Sequence, residues 1–428
     1  MKITKTRFIA LLIALMLSLL SACSNNNNNN SGDTTPSYAA DLMVDISPNQ
    51  INARPADDAF IGSMSEFFVE LFKKGVTDGQ NSLISPLSVM LALAMTANGA
   101  DGETLIQMER LLGGDIPIEA LNEYLYRYVQ NIPNTEKSKL NIANSIWFRD
   151  DGESLQVQPE FLQRNADYFG AAAFSSAFDA QTVRDINSWV KTNTDGMIDQ
   201  ILDEINDELL FLINAVMFDA EWQNVYYAHD IREGEFTNFA GEVEKADFMH
   251  SRESRFLDDG LAVGFVKPYA GGKYSFAALL PNAGISLAEY IESLTGERFL
   301  NTLNNAQQAI VQASMPKFEY EYEIEMKDAL RVMGITHAFD ENTADFSQMA
   351  TTELGNGNIY ISKVLHKTFI SLDELGTKAG AATLVATAPG SAPNPEVPKI
   401  VRLDRPFVYA IIDNAANLPI FIGTVVTV

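Results

Sequence analysis

Few residues of this chain are of types suited to covalent or metal chemistry. Its histidines are His229, His250, His337 and His366, and its single cysteine is Cys23. None of the histidines forms a His-Glu-x-x-His run, and no cysteine pairs with one at zinc spacing. The "PGSAP" around Ser391 is not a Gly-x-Ser-x-Gly elbow. No P-loop is present, and no Gly-x-Gly-x-x-Gly follows a strand. His366 lies in an apolar run, where a hydrogen-bonded structural imidazole is the usual case. A catalytic histidine needs a nucleophile nearby, and the sequence nominates none. The reading is therefore of a protein that is not an enzyme and holds no cofactor or metal.

The unusual stretch is "ELGTKAGAATLVATAPGSAPNPEVPK", residues 374–399. From Gly376 to Thr383 its only large side chain is Lys378, and four prolines follow at 389, 393, 395 and 398. Side chains alternate between the two faces of a strand. One parity here reads Thr377, Ala379, Ala381, Thr383, Val385, uncharged and mostly small, as an inward face needs. The other reads Lys378, Gly380, Ala382, Leu384 and carries the segment's one charge. Prolines have no N–H to give a ladder, so such a strand runs from about Thr377 to Ala388, roughly 40 Å at ~3.3 Å per residue. A linker between two domains is the competing reading, but only about thirty residues follow, too few for a domain.

The elements that must position this stretch come before it. The 428 residues and 46% hydrophobic content can bury a sizeable core. "FIALLIALMLSLL" (8–20) after Lys2, Lys5 and Arg7 has signal-peptide form, too short to span a bilayer comfortably. It ends in "LSAC", which resembles the bacterial lipobox. That implies removal of residues 1–22, lipidation of Cys23, export and anchoring at the cell surface or the periplasmic side of a bacterial membrane. An ordinary signal peptide with an incidental cysteine is the alternative. One cysteine cannot form an internal disulfide. "SNNNNNNSGDTTPS" can bury nothing and reads as the start of a flexible tether over 23–57. Without residues 1–22 the net charge moves from −26 to about −29, which excludes nucleic acid as a partner.

From residue 58 to 428 the pattern is one mixed domain. Apolar residues at helical spacing mark 56–76. Ser85 and Pro86 suit an N-cap and first helical position, Gly99 a stop, and Asp101 or Gly102 the start of another helix. "INSWVKTNTDGMI" reads as a helix ending near 193–196. "LNIANSIWF", "LLFLINAVMF", "YSFAALLP", "NIYISKVLHKTFISLDE", "PFVYAIID" and "PIFIGTVVTV" read as strands. "EYEYEIEM" (319–326) alternates carboxylates with Tyr320, Tyr322 and Ile324, a strand with one solvated face rather than a metal site. Strands dominate the second half, so the class is α+β.

Seven segments in this order resemble the serpin family. "NSLISPLSVMLALAMTANGADGETLIQM", "INSWVKTNTDGMI", "LINAVMFDAEW", "MPKFEYEYEIEMKDALRVMGITHAF", "ADFSQM", "HKTFISLDELGTKAGAAT" and "RPFVYAIIDNAANLPIFIGTVV" are similar to its landmarks, over residues 58–428. The resemblance implies a large central, mostly antiparallel sheet with further sheets, a helical subdomain, and an exposed reactive-centre loop at about 374–405. It implies a single-use trap for a serine protease, with cysteine proteases as a further target class. The protease cuts the loop and forms an acyl-enzyme, and the loop then inserts as a new strand and distorts the protease. The expected state is a monomer, with loop–sheet polymers as a misfolding route.

Site residues follow from the same resemblance. Counting from Glu374 places the scissile bond at Gly390–Ser391, suited to an elastase-like or subtilisin-like enzyme, with Thr387, Ala388 and Ser391 as rival attachment residues. The loop is about five residues longer than the family norm between Ser391 and Pro406. Glu374, Gly376, Thr377, Ala379, Ala381, Ala382 and Thr383 match the hinge. Ser85, Ser88, Asn214 and His366 match a polar cluster beneath the sheet where strands must part. Trp222, Lys317 and Glu374 match the top of the sheet. Two departures are Lys378, usually acidic in the family, and Asp219-Ala220, usually Lys-Gly. The alternative is a non-inhibitory carrier on the same fold, whose members tend to bear bulky, charged or proline residues at hinge positions.

Overall fold

The computed structural model describes residues 39–132, 134–150, 155–352, 359–377 and 397–428. In chain order its strands are β1 (Ala40–Asp41), β2 (Ser82–Ile84), β3 (Ser138–Arg149), β4 (Leu155–Val157), β5 (Ala172–Ser176), β6 (Leu210–Glu221), β7 (Ile231–Thr237), β8 (Val243–Asp258), β9 (Ala262–Pro268), β10 (Tyr274–Pro281), β11 (Gln307–Pro316), β12 (Phe318–Glu325), β13 (Ala350–Thr352), β14 (Lys363–Leu372), β15 (Gly376–Thr377), β16 (Lys399–Arg402), β17 (Phe407–Asp413) and β18 (Leu418–Val425). A seven-stranded sheet has the order β1-β5-β3-β6-β15-β14-β12, and a nine-stranded path runs β16-β11-β8-β9-β10-β17-β18-β2 with β7 beside β8. Most neighbours are antiparallel; β3–β5, β6–β14 and β11–β16 are parallel.

Helices form where the apolar spacing asks for them. α1 (Asp58–Gly75) buries Phe60, Met64, Phe67, Phe68 and Leu71, and the Asp57 carboxylate caps it through the Phe60 N–H. α2 (Pro86–Ala97) is buried on every side, which is why its sequence shows no polar stripe. It ends at Ala97, two residues before the expected glycine stop. α3 (Gly102–Gly113) starts at Asp101, whose side chain accepts the Gly102 N–H. α4 (Ile118–Asn131), α5 (Pro159–Phe169) and α6 (Ala180–Asn193) complete the first half.

The two faces of β6 belong to two cores. Leu212, Val216 and Phe218 join the main core with α1, α2 and the nine-stranded sheet. Phe211, Ile213 and Ala215 join a second core with Ile186 and Val190 of α6 and Leu365 of β14. The seven-stranded sheet is thus buried on both faces at this level, so "LLFLINAVMF" reads as a continuous apolar run.

One boundary needs correction. Residues 39–57 fall in the expected tether, yet they are packed on the domain. β1 extends the sheet edge along β5, Leu42, Met43 and Ile46 pack on the main core, and Ala53 is buried. The Asn49 N–H donates to Asp167 at 2.7 Å. The compact unit runs from Tyr38 to Val428. Its first apolar residues are too few to form a readable period, so only their contacts reveal them. Residues 23–38 of the expected tether, with Cys23, lie outside the described residues. No helix among the described residues is long and apolar enough to cross a membrane.

Candidate functional site

β6 and β14 lie side by side in the seven-stranded sheet. They pair directly over Phe211–Ala215 and Lys363–Lys367. Among the described residues no β6–β14 pair occurs above that. The next link is β15, antiparallel to both, with Gly376 opposite Glu221 and Thr377 opposite Ala220 and Leu372. The centre of the sheet is therefore a seam, closed directly at one end and bridged by a two-residue strand at the other.

Where the seam is closed, four polar residues gather at it. The Ser85 N–H donates to His366 Nε2 at 3.1 Å, so that nitrogen is unprotonated and Nδ1 carries the hydrogen. Nδ1 donates to Asn214 Oδ1 at 2.6 Å, which also accepts from Ser88 Oγ at 2.6 Å. His366 and Asn214 are register partners on β14 and β6, so their bond spans the seam. All four residues are fully buried, as is the Ser85 hydroxyl, which has no partner. Ser85 precedes α2 as expected, but its side chain does not cap the helix. Burial holds the imidazole neutral, its pKa down from 6.5 to about 3. Protonating Nε2 would set a donor against the Ser85 N–H.

Asn144, not anticipated from the sequence, completes this cluster. It pairs with Asn214 across β3–β6, accepts from Asn214 Nδ2, and donates to the Ser88 carbonyl at 3.3 Å. Its signal was an asparagine in the middle of an apolar strand, as Asn214 is.

At the other end Asp373 organises a turn into β15. Its carboxylate accepts the N–H groups of Leu375 (2.7 Å) and Gly376 (3.2 Å). A Cβ on Gly376 would lie 2.0 Å from the Ala220 carbonyl oxygen, so only glycine lets β15 reach β6. Thr377 is 2% exposed, and its hydroxyl is 2.6 Å from that of Tyr269. Trp222 holds the turn twice, its backbone N–H donating to the Leu375 carbonyl (2.8 Å) and its indole N–H to the Asp373 carbonyl (2.9 Å). Lys317 and Glu374 form an ion pair at 2.5 Å, which lowers the Glu374 pKa chiefly through that hydrogen bond. Both side chains are partly exposed, so the pair adds little stability by itself.

Beneath this corner lies a buried pair that the sequence reading missed. Lys267, 2% exposed, bonds Glu253 (3.2 Å) and the Asn224 carbonyl (3.1 Å) and sits 4.2 Å from the Tyr226 ring centroid. Burial lowers its pKa and Glu253 opposes the shift. Trp222 stacks on Tyr269 at 4.5 Å. The readable signals were a lysine in the apolar strand β9 and the tyrosine just after it.

The structure thus gathers Ser85, Ser88, Asn214 and His366 at one end of the seam, and Glu374, Gly376, Thr377, Trp222 and Lys317 at the other. Ala379, Ala381, Ala382, Thr383, Gly390, Ser391 and the rivals Thr387 and Ala388 lie outside the described residues. Among the described residues no cluster of three His, Cys, Asp or Glu is placed to hold a metal ion. The acidic run forms β12, with Tyr322 buried and Lys367 3.2 Å from Glu321 and 3.4 Å from Glu323.

Residues 62–428 match the family model "Serpin (serine protease inhibitor)". The chain belongs to the serpin family. A wheat (Triticum aestivum) relative, Serpin-Z2B, is 31% identical over 363 residues, covering 81% of this chain and 89% of its own. The thermophilic serpin tengpin in its native state superposes with a TM-score of 0.87 at 52% identity, covering 91% of this serpin and all of that chain. The same protein in its latent state gives 0.77 at 50% identity, over 88% of this chain and all of that one. At nearly equal identity, the arrangement of this serpin is thus nearer to the native than to the latent form.

Two outcomes are expected from this geometry. Above pH 6.5 His366 is neutral in both folded and unfolded chains; below it only the unfolded chain takes up the proton. Stability should therefore fall as pH drops from 6.5 towards about 3, by up to about 1.4 kcal/mol per pH unit from this group. Unfolding midpoints of wild type and His366→Gln across this range should show a flatter profile for the variant. Glu374→Lys would place like charges beside Lys317. After mild heating, size-exclusion chromatography should show more polymer and less monomer than wild type.

Proposed function

We propose that this serpin inhibits proteases as a single-use trap. The observation that carries the reading is β15. The first two residues of the small-residue segment already sit between β6 and β14, antiparallel to both. Thr377 pairs with Ala220, whose side chain belongs to the main core, so its parity faces inward. The remaining inward positions, Ala379, Ala381, Thr383 and Val385, are small or apolar, and suit continuation of the same strand down the seam.

In this reading the protease's nucleophilic oxygen attacks the Gly390 carbonyl. The Gly390–Ser391 bond breaks, the Ser391 amine leaves with a proton, and an ester joins Gly390 to the protease. The freed segment then extends β15. It must displace the direct β6–β14 pairs and the His366–Asn214 bond, which therefore form part of the barrier that keeps the uncut protein kinetically trapped. Insertion races against ester hydrolysis, so its rate decides between trapping and turnover. Small residues on both sides of the cut suit an elastase-like or subtilisin-like enzyme. The lipobox supports a second part of the proposal: Cys23 is lipidated and anchors the domain outside a bacterial cytoplasmic compartment.

Wild type mixed with elastase-like and subtilisin-like proteases should give complexes that survive SDS, and loop cleavage should raise its melting temperature. Thr383→Arg would put an unpaired charge at an inward position that is buried only as the cut segment extends β15. That costs several kcal/mol, and each ~1.4 kcal/mol on the barrier slows insertion about tenfold. The variant should be cut at the same bond but consume many molecules per protease trapped, whereas Lys378→Glu, on the other parity, should trap nearly normally. Equal trapping by Thr383→Arg and wild type would refute insertion in this register. Cys23→Ala should leave the membrane fraction of a bacterial host, and unchanged partition would refute the anchor.

A further inference from the structure

Basic groups are scarce in this protein, 30 against 56 acidic. Three arginines nevertheless converge on one depression of about 450 Å³ on the sheet formed by β7, β8, β11 and β16. The register explains how. His250 of β8 lies opposite Ser314 of β11, and Ser314 lies opposite Arg402 of β16. Residues two apart share a face, so Arg252 and Ile400 flank His250 and Arg402 on the same side. Arg232, next to the start of β7, closes the depression.

These charges are only partly offset from within. Arg232, Arg252 and Arg402 are exposed and take part in no ion pair among the described residues. The carboxylate lining the depression is Asp230, which accepts the Tyr227 N–H at 3.0 Å and lies 3.4 Å from His229. Burial pushes the His250 pKa down, and the charges of Arg232 and Arg402 push it further. Ile400, 59% exposed, adds an apolar contact between the arginines. Guanidinium groups pair carboxylates in two-point fashion and lose little hydration in doing so.

The position favours one occupant. β16 is the first strand after the loop, and Val397, the first described residue on that side, is 89% exposed. A protease engaged at Gly390–Ser391 would be held twelve residues before Arg402. The depression is compact rather than a long basic track, which fits a short acidic segment better than an extended polyanion. We propose that it is an exosite that takes an acidic surface segment of the protease engaged on the loop, with carboxylates pairing to Arg232, Arg252 and Arg402. This rests on the inhibitory reading above and adds a preference for the partner: proteases with acidic residues beside the active-site cleft.

Rim charges act mainly on association rate and its salt dependence. The experiment compares wild type with the exposed double variant Arg252→Glu/Arg402→Glu, full chain, against elastase-like and subtilisin-like proteases of acidic and of basic surface. It reads the second-order rate of SDS-resistant complex formation at low and high salt. The expected result is a slowdown of about tenfold or more with acidic proteases at low salt, shrinking as salt is added. Molecules consumed per complex and the melting temperature should not change. Equal rates for wild type and variant with every protease would overturn the exosite alone. So would a slowdown independent of protease charge. Heparin binding to wild type but not to the variant, with protease rates unaltered, would reassign the depression to a glycan and also overturn it. No complex with any protease, wild type included, would defeat the inhibitory reading and the exosite with it.

Discussion

The seam between β6 and β14 is the constraint on which the rest of the molecule depends. Two parallel strands pair over five positions and then part, and the bond from His366 to Asn214 spans the paired end. Such a bond in a fully buried place is expensive to break without replacement, because each freed polar group loses its partner away from water. Ser85, Ser88 and Asn144 tie the same two side chains to α2 and β3. A change at any of these five residues therefore acts on how firmly β6 and β14 are held together.

The opposite end of the seam has the reverse character. β15 is seated by many weak contacts: the Asp373 turn, two bonds from Trp222, the Tyr269–Thr377 hydroxyl pair and the partly exposed Lys317–Glu374 pair. The aromatic platform beneath is stiff, with Trp222 stacked on Tyr269 and Phe218 edge-on to it, and the buried Lys267–Glu253 pair anchors the Tyr226 side. A packed aromatic floor with a lightly held strand above it fixes the register at which β15 meets β6 and β14. The family's usual Lys-Gly is replaced by Asp219-Ala220 here, and Ala220 is the residue that meets both Gly376 and Thr377.

Charge is distributed with the same division of labour. The net acidic charge opposes self-association and carries no fold information. The exposed carboxylates of β12 are partly gathered by Lys367, while the arginines around His250 stay open beside the strand that follows the loop.

Much was legible from the chain alone. Alternation and apolar runs placed β3, β6, β12 and β14, spacing placed α1, and the parity of Thr377 followed from period two, because these depend on local periodicity. Gly376, Asn214 and the role of His366 could be named because the segments that carry them are similar to serpin landmarks. Only the tertiary structure decided what they meet. That Ser85 offers its N–H rather than its hydroxyl, that Asn144 joins the cluster, that Tyr269 receives Thr377, and that residues 39–57 belong to the domain all depend on contacts between segments far apart in sequence. Sequence periodicity reports which face of an element is buried. It does not report which distant side chain fills the space opposite, because that choice is made by the register between strands and by packing across the whole core.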